Sequence, residues 1–474
     1  MLLDPRPRLL APAPMRTGVL WPAVACLVVA GLSLLLPSNP TYDPWAWIIW
    51  GREITQLDLV TSDGPSWKPL PVLFTVPFAL LGDGVAPDLW MFVARAGALA
   101  GLFCAFRLGT RLGGPGAGAL AVVAIALAAW SVRNAGLGNS EGLLVLCVLW
   151  AADRHLDGHR AHAFALGVAA GLLRPEAWPF LGLYALWLVW EERWRLPWVA
   201  GGLAVLPVLW LLPERWGSGN LFRAAERANA PNPDSPAFAA SPALAIFGDA
   251  AAMLGPVVLV GLALALGLGS TGRASAGRGR EAAGLGALAF AWIALVAVMT
   301  EAGYAGNQRY LVAPAALACI LGAAGLSWAV AEVALRSAAR SRRTIVALAA
   351  VLCVGGLVFR AADQLPPFVR AMAFQTKSAD NLGDVLAAAG GEARLQRCGM
   401  IFTNPFLVPL VAWTLERHSD QVDFRPRPPA VVLRAAHVPD RDPDPPPGAL
   451  ARVPGRRIVA RSPYWEVEVA CSRG

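Results

Sequence analysis

The chain has 474 residues, 56% of them hydrophobic and only 15% charged, with a mean hydropathy of +0.51. Soluble domains carry about 25% charged residues, so this composition excludes an ordinary water-soluble globule and points to lipid. The net charge of +8 would suit a nucleic-acid partner, but the arginines come in short clusters between apolar runs, as membrane topology requires, and nucleic acid is discounted.

Apolar runs at 19–37, 90–106, 244–269, 285–300, 311–335 and 344–359 each approach the ~20 residues that cross a bilayer. The first follows Arg6, Arg8 and Arg16, is too long for a signal-peptide core and has no small-residue cleavage site, so it reads as a retained span. Those arginines mark one inside anchor. Arg107/Arg111, Arg154/Arg160, Arg193/Arg195, Arg273/Arg278/Arg280 and Arg336/Arg340/Arg342/Arg343 mark the others. Threading spans between them gives about eleven, with the N-terminus cytoplasmic and the C-terminus outside. The scheme needs the proline-rich stretch 69–81 to lie along the outer surface. It also needs 161–190 to be split into two short spans at Arg174-Pro175-Glu176.

The expected division is a transmembrane domain over 1–360 and an extracytoplasmic α/β domain over 361–474. Past Arg360 prolines and acids accumulate, and strand-like runs appear at 398–403, 430–434, 457–460 and 464–469, with a helix-like segment at 406–418. The Pro/Asp-rich stretch 440–447 reads as a loop. Five of the seven cysteines fall in expected spans, where a thiol behaves as a small hydrophobe. Only Cys398 and Cys471 lie in the outer domain, where oxidation is permitted, so they are expected to form a disulfide; the alternative is two unpaired thiols.

Polar residues beside a membrane are costly, and here the unusual ones gather in the expected outer loops. Asp43, Arg52, Glu53, Asp58, Asp63 and Lys68 follow the first span. Glu141, Arg174, Glu176, Glu301, Gln308, Arg309 and Tyr310 come later. This predicts one polar cavity at the outer boundary. Asp58, Asp63 and Arg52 also fit simple solvated charges, whereas Asp43, Lys68 and Arg309 abut span edges among apolar residues. Arg95, about two turns into a span, either snorkels or binds ligand. His155, His159 and His162 have helical spacing but lie in an expected cytoplasmic loop, which argues against a metal site.

The segment from Asp43 to Ile54 resembles the first outer loop of the protein-mannosyltransferase and aminoarabinose-transferase superfamily, of the GT-C class. Asp43, Arg52, Glu53 and Ile54 fit its spacing, although Pro44 replaces the usual second acid. Trp67-Lys68-Pro69-Leu70-Pro71 resembles the family segment that begins a surface helix. Glu141 is placed like a family acid, and Leu173-Arg174-Pro175-Glu176 resembles a basic turn. The likeness covers about residues 15–200. It implies transfer of a sugar from a polyprenyl-phosphate carrier to a glycan, lipid or protein acceptor outside a bacterial plasma membrane.

Such chemistry needs a base, a cationic cradle for the leaving phosphate, and an apolar groove for the prenyl chain. Asp43 is the expected base, its pKa raised by its low-dielectric setting. Lys68 and Arg309 are the expected phosphate partners, with Tyr310, Glu141, Arg174, Glu176, Glu53 and Arg95 as further donor-site candidates. No cofactor is implied; Asp58 and Asp63 could join Asp43 around a divalent ion, but their spacing does not demand it. The competing readings are a transporter or flippase, which the absence of an internal repeat disfavours, and an inactive GT-C scaffold acting as a partner.

Overall fold

A computed structural model describes residues 20–270, 276–436 and 455–471. Arg6, Arg8, Arg16, Arg273 and the 440–447 loop lie outside the described residues.

Helix α1 (Leu20–Ser33) is followed by α2 (Tyr42–Thr55) and α3 (Pro69–Ala79). The long α4 (Ala86–Gly113) leads into α5 (Pro115–Ala126) and α6 (Ala129–Gly136), which meet at a 60° bend. Next come α7 (Glu141–Leu156), α8 (Arg160–Gly171), α9 (Trp178–Glu191), α10 (Leu196–Ser218) and the short α11 (Arg223–Ala228). The membrane part closes with α12 (Pro242–Ser270), α13 (Ala276–Glu301), α14 (Val312–Arg336) and α15 (Ala339–Asp380).

Among the described residues, the segments of α4, α10, α12, α13, α14 and α15 are long and apolar enough to cross a bilayer, and the bent α5–α6 pair makes a seventh. A count of about eleven is reached only by adding α1, α7, α8 and α9, which run 14, 16, 12 and 14 residues. Helix α3 is apolar but has 11 residues, too few to span. The chain does break between α8 and α9, at the Arg174-Pro175-Glu176 turn.

Helix α14 is the central column, buried from Val312 to Gly325. Beside it α12 kinks at Gly255, whose φ of +72° suits a residue without a Cβ. Pro256 follows, and its missing N–H leaves the Ala252 carbonyl without its helical partner. The Arg360 guanidinium donates to that carbonyl, so a cation on α15 completes the kink.

The helix that carries Arg360 does not end there. Helix α15 continues without a break to Asp380, and the α/β part begins after it. There α16 (Leu382–Ala388) and α17 (Glu392–Cys398) precede a five-stranded sheet. Its strands are β1 (Met400–Thr403), β2 (Val422–Asp423), β3 (Ala430–Ala435), β4 (Arg457–Arg461) and β5 (Trp465–Ala470), in the order β2-β1-β3-β5-β4. Strand β1 runs parallel to β2 and β3, while β5 is antiparallel to β3 and β4. Helix α18 (Val408–Thr414) lies between β1 and β2. Trp465 donates from Nε1 to the Ser378 carbonyl at 2.7 Å, tying the sheet to the last turns of α15.

Cys398 and Cys471 are disulfide-bonded, with Cα atoms 4.3 Å apart. They do not sit on adjacent strands. Cys398 ends α17, Cys471 follows β5, and β3 runs between β1 and β5. Met400, Ala430 and Ala470 are aligned across the three strands, so the bridge arches over the start of β3.

Candidate functional site

A cavity of about 2410 Å³ opens between the helices and the C-terminal sheet domain. Its base is built by four short stretches that enter helices. Asp43 lies in the first turn of α2, whose start is held to α6 by the Thr41 N–H donating to the Leu137 carbonyl at 3.1 Å. From Asp43 to Glu53 every residue of α2 is buried. Gly51 lets α2 approach α3 closely, because a Cβ there would strike the Thr75 backbone, and Thr75 donates to the Trp47 carbonyl at 2.7 Å.

Lys68 and Arg174 each precede a proline that starts a helical turn, and both are extended (φ −138° and −148°). That conformation follows from the clash between proline Cδ and the preceding residue. The Leu70 N–H donates to the Leu172 carbonyl at 3.2 Å, which brings these two cation-bearing turns together. Arg309 comes from the 3-10 turn Gln308–Leu311 that leads into α14.

These elements place their side chains in one chain of charges. Arg309 Nη1 lies 2.7 Å from Asp43 Oδ2, and Lys68 Nζ lies 3.7 Å from the same oxygen. Lys68 Nζ is 4.0 Å from Glu141 Oε1, which also pairs with the Arg174 guanidinium. Arg174 stacks over the Tyr310 ring at 4.8 Å, and Lys68 over Trp47 at 4.9 Å. Tyr310 packs 5.0 Å from Tyr304, whose hydroxyl donates to Glu176 at 2.9 Å. Asp43, Lys68, Glu141, Arg174 and Glu176 are all less than a tenth exposed.

Burial pushes the Asp43 carboxyl up, but Arg309 and Lys68 more than offset this and hold it below the usual carboxylate range. The raised value expected from its low-dielectric setting is therefore corrected: the adjacent cations outweigh desolvation. Lys68 shifts the other way. Burial and the nearby Arg174 push its ammonium down to about 7. Its Nζ makes no hydrogen bond among the described residues.

Two expected site residues lie elsewhere. Arg95 donates to the Ser33 carbonyl at 2.5 Å and to that of Ala135 at 3.5 Å, so its guanidinium ties α1 and α6 to α4 and does not line the cavity. Glu53 occupies the opposite end of α2 from Asp43. It accepts from the Val60 N–H at 3.0 Å and lies 2.7 Å from His418 Nδ1. Asp58 reaches His418 and Asp63 caps the Gly64 N–H, so neither joins Asp43 around an ion.

Sequence reasoning missed the support behind Lys68. Glu214, fully buried in α10, accepts from Arg223 Nε and Thr61 Oγ1, each at 2.9 Å. Arg223 also donates to the Pro65 carbonyl at 2.7 Å, and Trp67 Nε1 to that of Leu209 at 2.9 Å. The signal was present, since Glu214 is an acid at the end of an apolar run.

The structure is similar to the crystal structure of ArnT from Cupriavidus metallidurans bound to undecaprenyl phosphate, with a TM-score of 0.56 at 14% identity over 94% of this chain and 97% of that one. Against the apo state of the same protein the TM-score is 0.53 at 15% identity, over 94% and 96% of the two chains. No model of a protein family matches the sequence, and no curated protein matches it. The chain is a polytopic, mainly helical membrane protein of the GT-C fold found in aminoarabinose transferase, ending in a small α/β domain.

Proposed function

We propose that this protein is a membrane glycosyltransferase that moves a hexosyl or pentosyl group from a polyprenyl-phosphate carrier to a glycan, lipid or protein acceptor of the cell envelope. It would act at the outer face of a bacterial plasma membrane, with the C-terminal domain outside. The observation that carries this reading is the charge cluster. Lys68, Arg174 and Arg309 converge on Asp43 and Glu141, and the buried Lys68 ammonium lacks a hydrogen bond among the described residues. A buried ammonium whose N–H groups reach no acceptor at hydrogen-bond distance is costly, and a phosphate would supply those acceptors. The ArnT fold supports the same class of donor, since that protein binds undecaprenyl phosphate.

In this reading Lys68 and Arg309 hold the phosphate oxygens, and Asp43 faces the acceptor. The acceptor hydroxyl oxygen attacks the anomeric carbon while the bond from that carbon to the phosphate oxygen breaks. The bonding pair leaves on the phosphate, where the fixed cations stabilise it, and the hydroxyl proton passes to Asp43. Cells lacking the protein should accumulate a lipid-linked sugar, and purified protein should bind undecaprenyl phosphate. Absence of both would overturn the reading.

A further inference from the structure

The end of α2 remote from the cavity is gripped by the C-terminal domain through a histidine set between two carboxylates. His418 follows α18 and leads into the 3-10 turn Ser419–Gln421. Its Nδ1 lies 2.7 Å from Glu53 Oε1 and its Nε2 lies 3.2 Å from Asp58 Oδ2. Glu53 is 1% exposed, and both carboxylates belong to the stretch that carries α2.

Only the imidazolium has a proton on both ring nitrogens. A neutral ring donates to one carboxylate and turns a lone pair toward the other, which repels it. Of the groups at this contact, only the Glu53 carboxyl can share that proton with Nδ1, and deprotonation of the pair removes it. Arg52 donates to the Arg417 carbonyl at 3.1 Å, lies 3.9 Å from Asp83 and stacks over Trp413 at 4.7 Å. Arg417 reaches Glu392 at 3.4 Å, and Ser62 donates to Asp420 at 3.0 Å. Glu416 acts electrostatically on Arg52, and Asp420 on His418.

We propose that His418 is a positioning residue: as an imidazolium it bridges Glu53 and Asp58 and so fixes the helix that carries Asp43, a hold that loosens in alkaline medium. Titration supports the geometry. Burial pushes the Glu53 carboxyl up to about 7, with the Val60 and His418 hydrogen bonds offsetting part of the rise. Burial pulls His418 down, but Glu53, Asp58 and Asp420 outweigh it and leave the ring raised. Both groups hold protons more firmly when docked than when free. The contribution of Glu53 is therefore lost as pH rises from about 4.5 through about 7, and that of His418 as pH rises from about 6.5 through its raised value, so the contact fades into the alkaline range. This hold acts on α2 whatever reaction the cavity performs.

Hydrogen exchange on the full-length chain in detergent, at about pH 6 and about pH 9 and corrected for intrinsic rates, tests it. In the unaltered protein, peptides from 42–62 and 408–423 should exchange about tenfold faster at the higher pH, as for one lost charge-assisted hydrogen bond. His418→Ala should exchange fast at both. Asp58→Asn should stay slow at both, because a side-chain amide donates to a neutral Nε2 while Nδ1–H serves Glu53. Equal exchange at both pH values in the unaltered protein, or the original pH dependence persisting in Asp58→Asn, would overturn the proposal.

Discussion

Arg309 lies within 2.7 Å of Asp43, so the proposed base and a proposed phosphate ligand form an ion pair. A phosphate entering the site competes with Asp43 for the same guanidinium. In the proposed reaction its arrival would free the carboxylate to face an acceptor hydroxyl, coupling donor binding to activation of the base.

Asp43→Asn should therefore lower transfer by about 10²- to 10⁴-fold, the usual contribution of a general base. Binding of undecaprenyl phosphate should be retained or tightened, since the competing carboxylate charge is gone. Separate assays of turnover and of lipid binding check this, and near-normal turnover would remove Asp43 from the role.

Lys68→Ala and Arg309→Ala should each weaken the donor by ~1.5–3 kcal/mol, the value of a hydrogen bond to a charged group. For Lys68 the effect carries a pH signature. Its ammonium is pushed down to about 7 in the free protein, and a bound phosphate would raise it again. Donor binding should take up protons at and above about pH 7 and weaken as pH rises further. Calorimetry in buffers of differing ionisation enthalpy reads the uptake; its persistence in Lys68→Ala would assign it to another group.

Breaking the disulfide by Cys398→Ser with Cys471→Ser should destabilise the C-terminal domain by ~2–4 kcal/mol. Limited proteolysis and thermal melts are the measurements. A melt equal to that of the unaltered protein would show that the sheet and its packing on α15 suffice alone.

Reporter fusions test the proposed orientation. One placed after Gly474 should be active only outside the cytoplasm, and one after Arg278 only inside. The reverse for either would invert the arrangement.

The lipid-facing character and most of the sheet were legible because both leave strong periodic or compositional marks in the chain. Asp43, Lys68 and Arg174 were legible because each sits beside a proline at the edge of an apolar run. Glu53 was misplaced for a geometric reason. It shares α2 with Asp43 but lies ten positions on, about 15 Å along the axis, and a list of outer-face charges cannot say which end meets the cavity. Arg95 looked like a ligand because a cation inside a span is costly, yet its cost is met by the carbonyls of Ser33 and Ala135. His418 carried no mark at all, since its two partners lie in a segment far away in sequence. Strand β2, two residues long, was too short to produce an alternating pattern.

The unbroken helix α15 has 42 residues and extends about 63 Å, far more than the roughly 30 Å of a bilayer core. Its second half works as a ruler pinned at two points. Arg360 pins it to the kink of α12, and the Ser378 carbonyl pins it to Trp465 of the sheet. The distance between those pins sets how high the C-terminal domain stands and which face it turns to the cavity. One residue added between them would rotate the domain by about 100° and swing His418 away from Glu53. The length of this segment thus sets both the height of the domain and the face it presents.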